Sequence, residues 1–206
     1  SDGITLYLLP GTHSKHLVVK RDQLIRFRTF MTGELFHLIA TESLIRHSVK
    51  PPASLPTAPQ ANADLRDNSP PPPFLEGVHA ALEGNLLNRL FTLRARDLLY
   101  QTAAEENTDY LSGLLIGAEL RELKQLCIES GERISDGESI SESGEMAPDA
   151  NGLSEVVVSG SSALRSRYAA ALEALGIPCT LPSRLDNPVV TGHCQILNHL
   201  ERGTDR

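Results

Sequence analysis

Hydrophobic and polar positions alternate along the first part of the chain and then change period. Leu6-Tyr7-Leu8-Leu9 and His16-Leu17-Val18-Val19 are short apolar runs that predict strands. Arg21-Asp22 predicts a turn into a third strand, in which Ile25, Phe27, Thr29 and Met31 share one face while Arg26 and Arg28 share the other. From Thr32 the spacing becomes helical. Thr32 is the expected N-cap, and Leu35, Phe36, Leu38, Ile39 and Ile45 are expected to point inward. Further helical patterns run over Phe74–Glu83, over Leu86–Thr102, and from Thr108 to about Cys127. Val156-Val157-Val158 then predicts a buried strand, and Ser162–Leu175 a helix stopped by Gly176. Cys179-Thr180-Leu181 reads as a weak final strand and Val189–Leu200 as a last helix. A three-strand meander, helices, and then strand–helix–strand predict an α/β fold, a mixed sheet with helices packed against it.

Two stretches carry no such pattern. Lys50 to Pro73 contains eight prolines, which remove backbone donors and favour an extended surface insertion; a linker is the expected role, ahead of a proline-rich docking site. Glu129 to Glu155 holds eight acidic residues and one basic residue around repeated Ser, Asp, Glu and Gly. That stretch has too little apolar area to offset its ordering entropy and predicts a loop. The flexible insertions are therefore expected at 50–73 and 129–154.

Composition narrows the classes of function. A chain of 206 residues with 40% apolar content can bury a substantial core. Its net charge of −7, without basic blocks, argues against a nucleic-acid or anionic-membrane partner. Cys127, Cys179 and Cys194 are odd in number and widely spaced, which suits neither a disulfide framework nor a metal knuckle and points to a reducing, cytoplasmic compartment. No apolar run approaches the length of a spanning helix, and the beginning of the sequence has no signal-peptide pattern.

Four places carry candidate chemistry. Gly11-Thr12-His13-Ser14-Lys15 lies between two strands, where glycine lets successive amides converge on an anion, the two hydroxyls donate, and the ammonium follows a phosphate. An ordinary hairpin turn with solvated side chains explains the same residues. The Gly-Lys-Ser/Thr ending of the common nucleotide loop is missing. His13 has no second histidine at ligand spacing, so it reads as a loop hydrogen-bonder. Ser159-Gly160-Ser161-Ser162 joins a strand to a helix start, whose amides and partial positive charge can hold an anionic or polar group; serine capping alone also accounts for it. Gly113 and Gly117, four apart in a helix, each cost about 1 kcal/mol against alanine, a cost that close approach of a helix or a flat ligand would offset, helix packing being the expected one. Glu34 sits in a first helical turn, where the dipole favours it, and it could also meet a Mg²⁺-bound water or a sugar hydroxyl.

In order, "LPGTHSK", "IRFRTFMTGELFHL", "LFTLRARDLL", "DYLSGLLIGAEL" and "VVVSGSSALRSRYAAALEALG" resemble the 2-dehydro-3-deoxygalactonokinases, sugar-acid kinases of the actin and hexokinase superfamily. The resemblance runs from about Leu6 to about Gly176. It implies a ribonuclease-H-like, actin-like ATPase lobe and transfer of the terminal phosphate of ATP, with Mg²⁺, to the 6-hydroxyl of 2-dehydro-3-deoxy-D-galactonate in galactonate breakdown. It implies that Gly11, Thr12, His13, Ser14 and Lys15 face the ATP phosphates, that Gly160, Ser161 and Ser162 lie by the adenosine, and that the Gly113–Gly117 helix packs nearby. No metal ligand is assigned within the chain, and a homo-oligomer is left open. His16 stands where family members usually carry tryptophan, a change expected to loosen the packing behind the loop. Only Ser1 to Thr5 precede the first motif, so residues 1–206 are expected to form the carboxy-terminal lobe, with the amino-terminal lobe and its catalytic base absent. A lone lobe lacks one wall of the cleft, so the chain is expected to need the missing lobe for turnover. The alternatives are a non-catalytic nucleotide-binding or interaction module, and an unrelated metabolic domain with an anion-binding loop.

Overall fold

A computed structural model describes residues 3–21, 23–50, 70–132 and 153–182. The expected helix Val189–Leu200, and most of both expected insertions, lie outside these residues. Strands β1 (Ile4–Leu9), β2 (Ser14–Lys20) and β3 (Gln23–Phe30) form the meander, and Arg21 takes the turn with a left-handed φ of 49°. Helix α1 is Thr32–Glu42, followed by a 3-10 turn at Leu44–His47. Then come α2 (Pro72–Glu83), α3 (Leu86–Tyr100), α4 (Ala104–Glu132), β4 (Leu153–Val158) and α5 (Ser162–Ala174).

The sheet order is β3-β2-β1-β4, with β1 antiparallel to β2 and parallel to β4. Thr180 adds a parallel bridge to Val157, the remnant of the weak strand expected at 179–181. This is the expected mixed α/β sheet with packed helices. Alternation along each strand sends Leu6, Leu8, Val156 and Val158 to one face, where they meet Phe74 and Val78 of α2, Ile116 and Leu120 of α4, and Tyr168 and Leu172 of α5. A second cluster, built on Ala81, Leu93, Leu111, Leu114 and Leu115, joins α2, α3 and α4. The apolar row of β3 faces the other way: Ile25 and Phe27 are exposed among the described residues.

The structure corrects several boundaries. Pro71 caps α2 and Pro72 opens it, because a first-turn proline loses no hydrogen bond and its φ is already helical. Helix α4 reaches Glu132 and β4 begins at Leu153, so the acidic stretch is shorter than its composition implies. Thr32 is not the N-cap of α1. Met31 holds that position without a side-chain bond, and the Thr32 hydroxyl goes elsewhere. Leu35 and Leu38 are exposed, because only the Phe36–Ile39–Ala40 side of this helix meets the second cluster. Ile45 also packs there, from the 3-10 turn.

The two glycines of α4 are explained by α2. A Cβ on Gly113 would overlap the Phe74 carbonyl, one on Gly117 would stand 2.8 Å from the Val78 carbonyl oxygen, and one on Gly77 would overlap the Tyr110 carbonyl. Backbone meets backbone here, which is the helix packing expected from the glycine spacing. Gly113→Ala gains helix propensity but forces α2 outward. It should lower the unfolding free energy by about 1–3 kcal/mol in urea titrations, as overpacked cores do.

Candidate functional site

Helix α4 has two working faces. Gly113 and Gly117 face α2, while Thr108, Ser112, Leu115 and Glu119 recur at helical spacing on another side. Locking α4 onto α2 therefore aims this second face at the strand β2, the start of α1 and helix α5. Thr108, Ser112, Leu115 and Ile116 line a cleft of about 250 Å³ together with Gly11, Thr32, Gly33, Phe36, Leu164, Arg167 and Tyr168.

Beneath it lies Glu119, only 4% exposed. Its Oε1 accepts from Ser14 Oγ at 2.6 Å and from His16 Nε2 at 2.7 Å. Its Oε2 accepts from Tyr168 Oη at 2.7 Å and from the Thr32 hydroxyl. Ser14 and His16 alternate with Lys15 on β2, so both point inward and Lys15 does not. A carboxylate has about four lone-pair sites, and all are used. Burial pushes the Glu119 carboxyl upward, but the bonds from His16, Ser14, Thr32 and Tyr168 together outweigh it and hold the group below the ordinary carboxylate range. For Tyr168, burial, the neighbouring charge of Glu119 and the hydrogen bond to it all push the hydroxyl far upward, so it stays a donor.

The loop above is closed by α1. Gly33 lies so near that a Cβ would stand 2.5 Å from the Gly11 carbonyl oxygen, and the Glu34 amide donates to the Thr12 carbonyl at 3.0 Å. His13 Nε2 and Glu34 Oε2 are 2.5 Å apart at the exposed edge. His13 is thus a loop hydrogen-bonder, and Glu34 is engaged by it. Lys15 Nζ donates to the His13 carbonyl at 3.2 Å. Gly11 reaches the cleft and Ser14 the network below it, while the Thr12, His13 and Lys15 side chains are not among those lining the cleft.

At the junction of β4 and α5, Gly160 takes a φ of 155° and a Cβ there would lie 3.4 Å from the Pro10 carbonyl oxygen. The Ser159 amide donates to the Leu8 carbonyl at 2.9 Å. Ser161 caps α5 by accepting from the Leu164 amide, and Ser162 begins the helix. The Gly11 and Gly160 loops therefore adjoin at the ends of two parallel strands, where open α/β sheets hold their ligands.

Reading the sequence alone missed Glu119, His16 and Tyr168. One signal was available: Glu119 is the sole charged residue between Leu111 and Leu120, a run otherwise spaced for burial. His16 does not loosen the loop. It is buried, bonded to Glu119, and its ring centroid lies 4.4 Å from that of Phe30. Tyr168 packs in the core as its spacing implies, yet its hydroxyl also belongs to the network.

Because the folded Glu119 carboxyl is held below its unfolded value, it contributes stability above the ordinary carboxyl range near 4.5 and loses that contribution as pH falls through the folded value. Glu119→Gln should be less stable than the parent at neutral pH, with the gap closing in acid; urea titrations across pH 3–7 (roughly the carboxyl range and above) measure it. Glu119→Ala leaves four donors facing one another and should cost about 3–5 kcal/mol.

Comparison with known proteins bears on the same residues. The family model of 2-keto-3-deoxy-galactonokinase matches residues 1–196. The 2-dehydro-3-deoxygalactonokinase of Escherichia coli K12 is 35% identical over 120 residues, which is 58% of this chain and 36% of that protein. The "Probable 2-dehydro-3-deoxygalactonokinase DgoK1" of Rhizobium meliloti 1021 is 38% identical over 120 residues, 57% of this chain and 35% of that protein. The crystal structure of "a putative 2-dehydro-3-deoxygalactonokinase protein" from Sinorhizobium meliloti superposes with a TM-score of 0.60 at 30% identity, covering 88% of this chain and 48% of that one. The chain thus spans about a third of the curated relatives and about half of the solved one. Matched over nearly all of its length by one family model, with the fold of a solved relative, the chain belongs to the 2-keto-3-deoxy-galactonokinase family.

Proposed function

We propose that the chain is the carboxy-terminal lobe of a kinase that transfers the terminal phosphate of ATP to the 6-hydroxyl of 2-dehydro-3-deoxy-D-galactonate. The observation that carries this reading is the meeting of the Gly11 and Gly160 loops beside a cleft, at the ends of parallel β1 and β4, in a chain of this family. In the transfer, the bond between the γ-phosphorus and its bridging oxygen breaks, a phosphorus–oxygen bond to the sugar forms, the hydroxyl proton leaves to a base, and ADP departs. The chain's own share is positioning. The loop at Gly11 to Lys15 would take the phosphates, with the Lys15 ammonium compensating their charge, and Gly160, Ser161 and Ser162 would border the adenosine.

Among the described residues no cluster of His, Cys, Asp or Glu could cage a metal ion. A Mg²⁺ ion suits this arrangement only as part of the nucleotide it accompanies, where it would neutralise phosphate charge. Glu119 is not the base, since its lone pairs are filled. The base belongs, on this reading, to residues that the relatives carry outside the matched region. Among the described residues no helix is long and apolar enough to cross a membrane.

A second reading, a nucleotide-binding module without transfer, draws on that same filled carboxylate. A coupled ADP-release assay with the sugar acid separates the two. The chain alone should bind Mg·ATP without turnover, and joining it to the remaining segment of a relative should give turnover. Turnover by the chain alone would refute the placement of the base elsewhere, and none after joining would favour the module. Lys15→Ala should raise the Kd for Mg·ATP about ten-fold by calorimetry, the loss of roughly one charge-assisted bond.

A further inference from the structure

Helix α3 turns apolar side chains in two directions. Leu86, Leu90 and Leu93 pack into the second cluster, with α2 and α4. At 3.6 residues per turn, Leu87, Phe91 and Leu98 fall within about 40° of one another, roughly a third of a turn away from that inner row. Among the described residues nothing buries them: they are 76%, 64% and 62% exposed, and Leu99 flanks them at 73%. A helix with a second apolar face normally buries that face too, and an exposed apolar stripe marks an interaction surface. Leu90–Leu99 is also one of the five stretches that carry the family resemblance, and the one that supplies no residue to the two loops or to the cleft.

We propose that the chain forms a homodimer through α3, packed antiparallel on the α3 of a second copy. The stripe complements itself. In a pair related by a two-fold axis beside Thr92 and Leu93, Leu87 meets Leu98 of the partner subunit, and Phe91 meets the guanidinium face of the partner's Arg94; both contacts repeat by symmetry. Arg94 is the one charged side chain along this line. It is drawn aside by Asp97 Oδ2 at 2.8 Å and the Ser48 hydroxyl at 3.1 Å, so no unpaired charge stands between the two helices. A segment closing the cleft over Gly11, Thr32 and Leu164 would lie beside α1 and α5, whereas α3 packs chiefly on α4, α2 and the 3-10 turn. The stripe therefore stays open to a second copy when the cleft is covered, and the dimer stands apart from the kinase reading. The 15 residues of α3 span about 22 Å. That contact is at the small end of specific interfaces, and the dimer should dissociate at about 1–100 µM.

Sedimentation velocity of the whole chain from about 1 to 300 µM, a range that brackets this value, tests the proposal. The parent should shift from monomer to dimer. Phe91→Glu and Leu98→Glu each place a carboxylate in the stripe and should weaken the dimer about thirty-fold or more, as the loss of a central contact does. Both positions are exposed in the single chain, so circular dichroism and the thermal midpoint of the monomer should match the parent's; where one variant misfolds, the other carries the measurement. The register has its own test. Leu87→Lys and Leu98→Glu chains should each remain monomeric, while their equimolar mixture should dimerise, because the new ammonium of one faces the new carboxylate of the other. A parent that stays monomeric throughout, a dimer that survives both glutamate substitutions, or a mixture no more associated than its components overturns the proposal.

Discussion

Four donors from three elements converge on one carboxylate carried by a fourth, and the rest of the site follows from that convergence. Ser14 and His16 come from β2, Thr32 from the start of α1, Tyr168 from α5, and Glu119 from α4. A buried charge is costly unless every lone pair is met, and here each one is. Such a group need not add net stability over an apolar replacement. Its consequence is geometric: the hairpin, the start of α1 and the middles of α4 and α5 are held in one relation, because any displacement strands a donor or the charge.

The second constraint is steric. Gly77, Gly113 and Gly117 let α2 and α4 touch at the backbone, which fixes the rotation of α4 about its axis. With one side of α4 committed to α2, Thr108, Ser112, Leu115 and Glu119 have one direction left to face. The close pair also builds both hydrophobic clusters, since each draws side chains from both helices. Packing thus sets where the polar network can form, and the network sets where the loops stand.

The loops close the arrangement. Gly33 lets α1 lie against the Gly11 carbonyl, and the Glu34 amide and carboxylate engage Thr12 and His13. Across the sheet, Gly160 lies beside Pro10. The result is a rim of backbone over a cleft whose floor is a charged but fully bonded carboxylate. That combination is compatible with the phosphoryl transfer proposed above, whose chemistry needs orientation and charge placement more than a reactive side chain.

Much of this was determined locally. Alternation of period two set the strands, spacing of period 3.6 set the helices, Gly176 with its φ of 73° ended α5, and the glycine pair of α4 announced a backbone contact. The two loops and their family resemblance were equally readable, because motifs are local strings. What only the tertiary structure decided were relations between distant residues. Thr32 looked like a cap because capping is a short-range preference, yet its hydroxyl bonds a residue 87 positions away. Glu119 looked like one more charge on a helix, and Tyr168 like a core aromatic, until four elements met around them. Composition also overstated the acidic stretch, since α4 continues through residues whose local preference is weak. Propensity and pattern act over a few residues, whereas burial and the pairing of buried polar groups depend on which segments the fold brings together.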